Sequence, residues 1–171
     1  MVFEPTQTIY DALQEREFKC VIRERDDCSY VETAVNFEAL RVEMRFISYD
    51  DEHDVAVRVR EFATFPEERT DAVLEAVNRI NATYRMIKLT VDTARCIVGI
   101  HADLPLCEEN LAETAVELFR FIPSIGNRVY PGLMRVAWGD GTVDEEPFDT
   151  KSDEASDEES DEDSDANEDT E

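Results

Sequence analysis

Between residues 41 and 60 apolar and charged side chains alternate on either side of an acidic turn. Val42, Met44 and Phe46 are set against Arg41, Glu43 and Arg45. After Asp50, Asp51, Glu52 and His53 the alternation resumes, with Val55, Val57 and Val59 set against Ala56, Arg58 and Arg60. A period of two marks a strand with one buried and one wet face. Two such runs joined by a turn predict an antiparallel hairpin whose apolar side needs a cover.

The flanking segments supply that cover and further strands. Residues 6–17 suit a helix, capped by Thr6 or Thr8, with Ile9 and Leu13 on one stripe. Residues 18–23 alternate weakly, with Phe18, Cys20 and Ile22 on one side, and 30–37 read as a strand carrying Val31, Thr33, Val35 and Phe37 on one face. Pro66 stops the central hairpin and opens a helix, where Glu67, Glu68 and Asp71 favour the positive end and Val73, Val77, Ile80 and Tyr84 form the stripe. A second hairpin places Ile87, Leu89 and Val91 against Cys96, Val98 and Ile100 across the turn at 92–95. A last helix starts near Glu108, carries Leu111, Ala115, Leu118, Phe119 and Ile122, and is closed by Pro123 and Gly126; residues 129–138 form an apolar coda docked on the body. The order is helix, three or four strands, helix, two strands, helix, which excludes a doubly wound parallel sheet. It predicts an α+β fold: an antiparallel sheet of about five strands with helices on one face.

Composition divides the chain at Trp138-Gly139-Asp140-Gly141. Residues 139–171 carry 17 acidic groups and one Lys, net −16, whereas residues 1–138 carry net −9, together the −25 of the 171-residue chain. From Ser152 the unit Ser-Asp-Glu recurs, with no aromatic after Phe148 and no aliphatic larger than Ala after Val143. Such a segment cannot offset roughly 1 to 2 kcal/mol of backbone entropy per residue, so 139–171 is expected to be a disordered acidic tail on a 1–138 domain. The charge argues against direct nucleic-acid binding. No window resembles a membrane span, and Met-Val-Phe-Glu-Pro has no leader character, so a cytoplasmic protein is expected. Cys20 and Cys28, like Cys96 and Cys107, lack the spacing of a zinc knuckle or a redox motif, so reduced thiols are expected.

Little in the chain suits chemistry at a bond. His53 lies in the acidic turn, which lacks the Gly and closing Glu of an EF-hand loop and reads as a solvated tip. His101 follows Ile100 and points away from its core neighbours, a surface or interface imidazole. Nucleophile-elbow, phosphate-loop and His-Glu-x-x-His patterns are missing, and five glycines leave little material for a phosphate cradle. The reading is a non-enzyme with no catalytic residues, no metal and no cofactor. What remains is surface. Arg41, Arg45, Arg58 and Arg60 project together from the face opposite Val42, Met44 and Phe46. They form either a cross-strand ladder with Glu32 and Glu43 or a patch that receives an acidic segment, a partner's or the tail's own.

Residues 73–106 hold Val77-Asn78-Arg79-Ile80-Asn81, Met86-Ile87-Lys88-Leu89-Thr90-Val91-Asp92, Cys96-Ile97-Val98-Gly99-Ile100 and Ala102-Asp103-Leu104-Pro105-Leu106 in that order. This succession resembles the YbjN domain family, relatives of type III secretion chaperones, over about residues 6–138. The resemblance implies an α-β-β-β-α-β-β-α fold and non-enzymatic work, holding partly unfolded protein segments or acting in regulation, often as a homodimer. It implies that Asn81 is a turn residue at a helix C-terminus. The acidic tail departs from the family pattern. Two roles follow: a cytoplasmic chaperone-like or regulatory module that grips an extended protein or peptide client, or a carrier whose tail attracts a basic client. Ser152, Ser156, Ser160 and Ser164 each precede an acid and suit an acidophilic kinase.

Overall fold

A computed structural model of the chain describes residues 1–106 and 110–139. The elements run α1 (Glu4–Glu15), β1 (Cys20–Glu24), β2 (Ser29–Asn36), β3 (Arg41–Ser48), β4 (Val55–Thr64), a 3-10 turn (Glu67–Arg69), α2 (Thr70–Thr83), β5 (Lys88–Asp92), β6 (Ile97–Leu104) and α3 (Leu111–Trp138). The strands form one sheet in the order β1-β2-β3-β4-β6-β5, and every neighbouring pair is antiparallel. The sheet therefore has six strands where about five were expected. The extra one is β1, an edge strand paired with β2 from Cys20↔Thr33 to Glu24↔Ser29. Most of its residues are exposed, which is why its alternation is faint in the sequence. Cys107 and the acidic segment beyond Gly139 lie outside the described residues.

All three helices pack on one face of the sheet. Val31, Met44, Phe46, Val57, Val59 and Ile100 from the strands share a single core with Ile9, Leu13, Val73, Ile80, Ile122 and Leu133 from the helices. Each such side chain, removed from water, contributes roughly 1.5 to 3 kcal/mol. Helix α1 begins before the expected caps, with Pro5 in its first turn and no side-chain cap. Thr6 lies inside the helix, fully buried, where its hydroxyl lies 2.8 Å from the Ser29 hydroxyl and donates to that of Ser48 at 2.9 Å. These bonds pin α1 to β2 and β3.

Helix α3 also corrects the sequence reading. It runs unbroken through Pro123 and Pro131, so neither Pro123 nor Gly126 closes it. An interior proline costs about 3 kcal/mol, but the buried stripe continues past it through Ile125, Val129, Leu133 and Val136. Gly126 serves packing instead. A Cβ there would lie 2.1 Å from the Phe37 ring, so only glycine admits that ring against the helix. Phe37 in turn meets Phe62 at 5.2 Å, and Phe62 meets Tyr130 at 5.4 Å.

Asn81 is likewise not a turn residue. It lies within α2, and the non-glycine positions with left-handed backbone, among the described residues, are Glu17 and Cys96. Its side chain spans instead to the sheet edge. The amide donates to the Leu89 carbonyl at 2.9 Å, and its oxygen accepts the Leu89 N–H at 2.8 Å. Both outward backbone groups of Leu89 on edge strand β5 are thereby satisfied.

Candidate protein-binding face

The opposite face of the sheet carries no helix, and its residues are fixed by register. One line across the strands sets Glu32 opposite Arg45, Arg45 opposite Arg58, Arg58 opposite His101, and His101 opposite Lys88. The adjacent line runs Tyr30, Ile47, Ala56, Asp103. Tyr30, Ile47 and Ala56 form, with Cys28, a small buried cluster separate from the main core. Arginines cover it where a helix would otherwise lie. The Arg45 guanidinium sits 4.9 Å from the centre of the Tyr30 ring, and that of Arg25 at 5.6 Å.

The four arginines singled out from the sequence occupy this face in two states. Arg45 lies within ion-pair distance of Glu43 and, at 3.3 Å, of Glu32. Arg58 binds the Asp103 carboxylate at 2.9 Å and donates to the carbonyls of Ala102 and Val57. Like charges directly opposite each other repel, and these carboxylates offset the repulsion between Arg45 and Arg58. Arg41 and Arg60 are exposed, and neither has an ion-pair partner among the described residues. The ladder thus takes up Arg45, with Arg58 held by Asp103, while Arg41 and Arg60 remain available. Lys88 shares the register line, but its ammonium turns to the carbonyls of Asn81 and Tyr84 at the end of α2.

His101 is half-buried between these cations. Burial first, then the neighbouring Arg58 and Arg60, push its pKa below 6.5, with Asp103 opposing. Both effects favour the neutral imidazole over the charged one. The carboxylates of the acidic turn serve the backbone. Asp50 accepts the N–H groups of Glu52 and His53, which hold its carboxyl below the usual range, and Asp51 accepts the N–H of Glu4 at the start of α1. Among the described residues no three His, Cys, Asp or Glu side chains gather as a metal site. Cys20 and Cys28 are free and buried, and burial pushes both thiols up.

Sequence reading missed a groove at the other sheet edge. Strand β1 starts opposite Thr33, so among the described residues no strand pairs with β2 beyond it on that side, whereas β2 continues to Asn36 along β3. A groove of about 410 Å³ opens there, with Phe18, Lys19, Arg41, Phe119 and Arg120 in its wall. Its existence depends on where β1 begins, and the weak alternation at 18–23 carries no signal for that.

A six-stranded antiparallel sheet backed on one face by three helices, with a charged open face, makes this an α+β protein. The chain belongs to the YbjN family: the family model, described as "Putative bacterial sensory transduction regulator", matches residues 5–134. No curated protein matches the chain. No helix among the described residues is long and apolar enough to cross a membrane.

Proposed function

We propose that this chain is a non-enzymatic, protein-binding regulatory module that grips an acidic stretch of a client polypeptide on the open face of its sheet. The observation that carries this reading is the exposure of Arg41 and Arg60, without ion-pair partners among the described residues, on a body of net charge −9. Guanidinium forks recognise carboxylates in a bidentate manner. Along the same face, toward the other end of β3 and β4, the small buried Tyr30–Ile47–Ala56 cluster lies beneath Arg45. The family's regulatory description supports a role in signalling, and the chaperone-like alternative differs only in the client's state of folding.

The test is the affinity of the full chain for a labelled Asp- and Glu-rich peptide. Arg41→Glu combined with Arg60→Glu weakens binding at least fivefold, and raising salt to about 0.5 M does the same by screening. Binding unchanged by both contradicts the reading. Capture of a basic peptide in preference to the acidic one supports the carrier role of residues 139–171 instead.

A further inference from the structure

The groove beside the end of β2 fits an occupant of definite chemistry. Its polar wall holds Lys19, Arg41 and Arg120, none with an ion-pair partner among the described residues. Glu17 also lies there, while Glu32 and Glu43, on its open-face side, are engaged by Arg45. Three uncommitted cations therefore face one uncommitted carboxylate. The floor is apolar, since the rings of Phe18 and Phe119 meet at 4.6 Å, and Arg120 lies 6.0 Å from the centre of the Phe18 ring. The edge itself invites an extended chain. Antiparallel bonding alternates along β2, and the Phe37 N–H to Leu40 carbonyl bond fixes its phase. Asn36, one residue earlier and opposite Arg41, thus turns its backbone N–H and carbonyl away from β3 into the groove. At the far edge Asn81 closes the corresponding groups of Leu89. Among the described residues no such bracket stands at Asn36.

We infer that the occupant is this chain's own acidic segment, the Ser-Asp-Glu repeat beginning at Ser152, which places carboxylates on Lys19, Arg41 and Arg120. Reach permits it. From Trp138 back along α3 to Arg120 is about 27 Å at 1.5 Å per residue, and the chain from Trp138 to Ser152 spans up to about 46 Å when extended. Being tethered, the segment acts at the groove at an effective concentration on the order of millimolar, so a free acidic peptide takes the open face around Arg60 before it displaces the segment from Arg41. The groove is distinct from the centre of the open face, and its occupation shields an otherwise bare strand end from edge-to-edge pairing with other chains.

The chain's three lysines make the test direct, because Lys19 stands in the groove, Lys88 at the opposite edge of the sheet and Lys151 in the acidic segment itself. Carbodiimide treatment of the full chain at low salt joins Lys19 to carboxylates of residues 153–165 within one molecule, at least fivefold above Lys88. The Lys19 product falls to the Lys88 level at about 0.5 M salt and in the exposed-site variant Arg41→Glu with Arg120→Glu. Equal yields at Lys19 and Lys88, or Lys19 products only between molecules, overturn the inference. Amide exchange at Asn36 gives an independent reading. It slows in the native chain relative to a full chain with acids 153–165 replaced by Asn and Gln, and identical rates contradict the docking.

Discussion

The side-chain amide of Asn81 and the backbone of Leu89 exchange two hydrogen bonds, of 2.9 and 2.8 Å, that close the β5 edge of the sheet onto α2. Asn81→Ala removes both partners and leaves the Leu89 N–H and carbonyl to partial hydration. The expected cost is about 1 to 3 kcal/mol, read from urea unfolding. Asn81→Asp, which keeps the acceptor and loses the donor, falls between the two. Indifference of stability to Asn81→Ala would show that water replaces the bracket without loss.

Gly126 on α3 lies directly against the ring of Phe37, the residue after β2. Gly126→Ala gains about 1 kcal/mol of helix propensity and is nonetheless expected to destabilise, because its methyl meets the Phe37 ring and overpacking costs about 1 to 3 kcal/mol. In a Phe37→Ala background the same change becomes neutral or stabilising, so a double-mutant cycle reads a coupling well above 0.5 kcal/mol. Additive effects would contradict the contact.

Pro123 sits within α3 and withholds an N–H from the turn before it. Pro123→Ala restores that donor, and its expected effect is a stabilisation of about 1 to 3 kcal/mol, seen as a higher urea midpoint. A fall in stability would mean that the proline's packing beside the Phe18–Phe119 groove outweighs the missing bond.

His101 gives the fold a pH dependence. Its folded pKa is below the unfolded value near 6.5, so the unfolded chain binds the proton more tightly. This residue's share of stability is therefore intact above pH 6.5, and it is lost as pH falls through the folded value. His101→Gln removes that share of the acid dependence. Titration by NMR places the His101 midpoint below 6.5, and Arg58→Gln moves it upward. A midpoint at or above 6.5 in the native chain contradicts the cationic setting.

Strong alternation and strong helical stripes were legible, and they belong to elements with one buried face. Strands β3 and β4, the 87–100 hairpin and the start of α3 carry that pattern, and the four arginines follow from it by parity alone. What was illegible depended on contacts far apart in sequence. Thr6 looks like a cap until Ser29 and Ser48 stand around it. Pro123 and Gly126 look like terminators, but burial of Ile125, Val129 and Leu133 outweighs the proline, and Gly126 answers to a ring 89 positions earlier in the chain. The partition of the arginines into engaged and available was likewise hidden, since it depends on which carboxylate lies across the register.

Amide shift mapping of the full chain titrated with an acidic peptide tests the central claim most directly. Shifts are expected to concentrate on the open face, around Arg41, Arg45, Arg58, Arg60 and His101, and to fade in Arg41→Glu with Arg60→Glu. Shifts concentrated on the exposed sides of α2 and α3, with the sheet face silent, would contradict it.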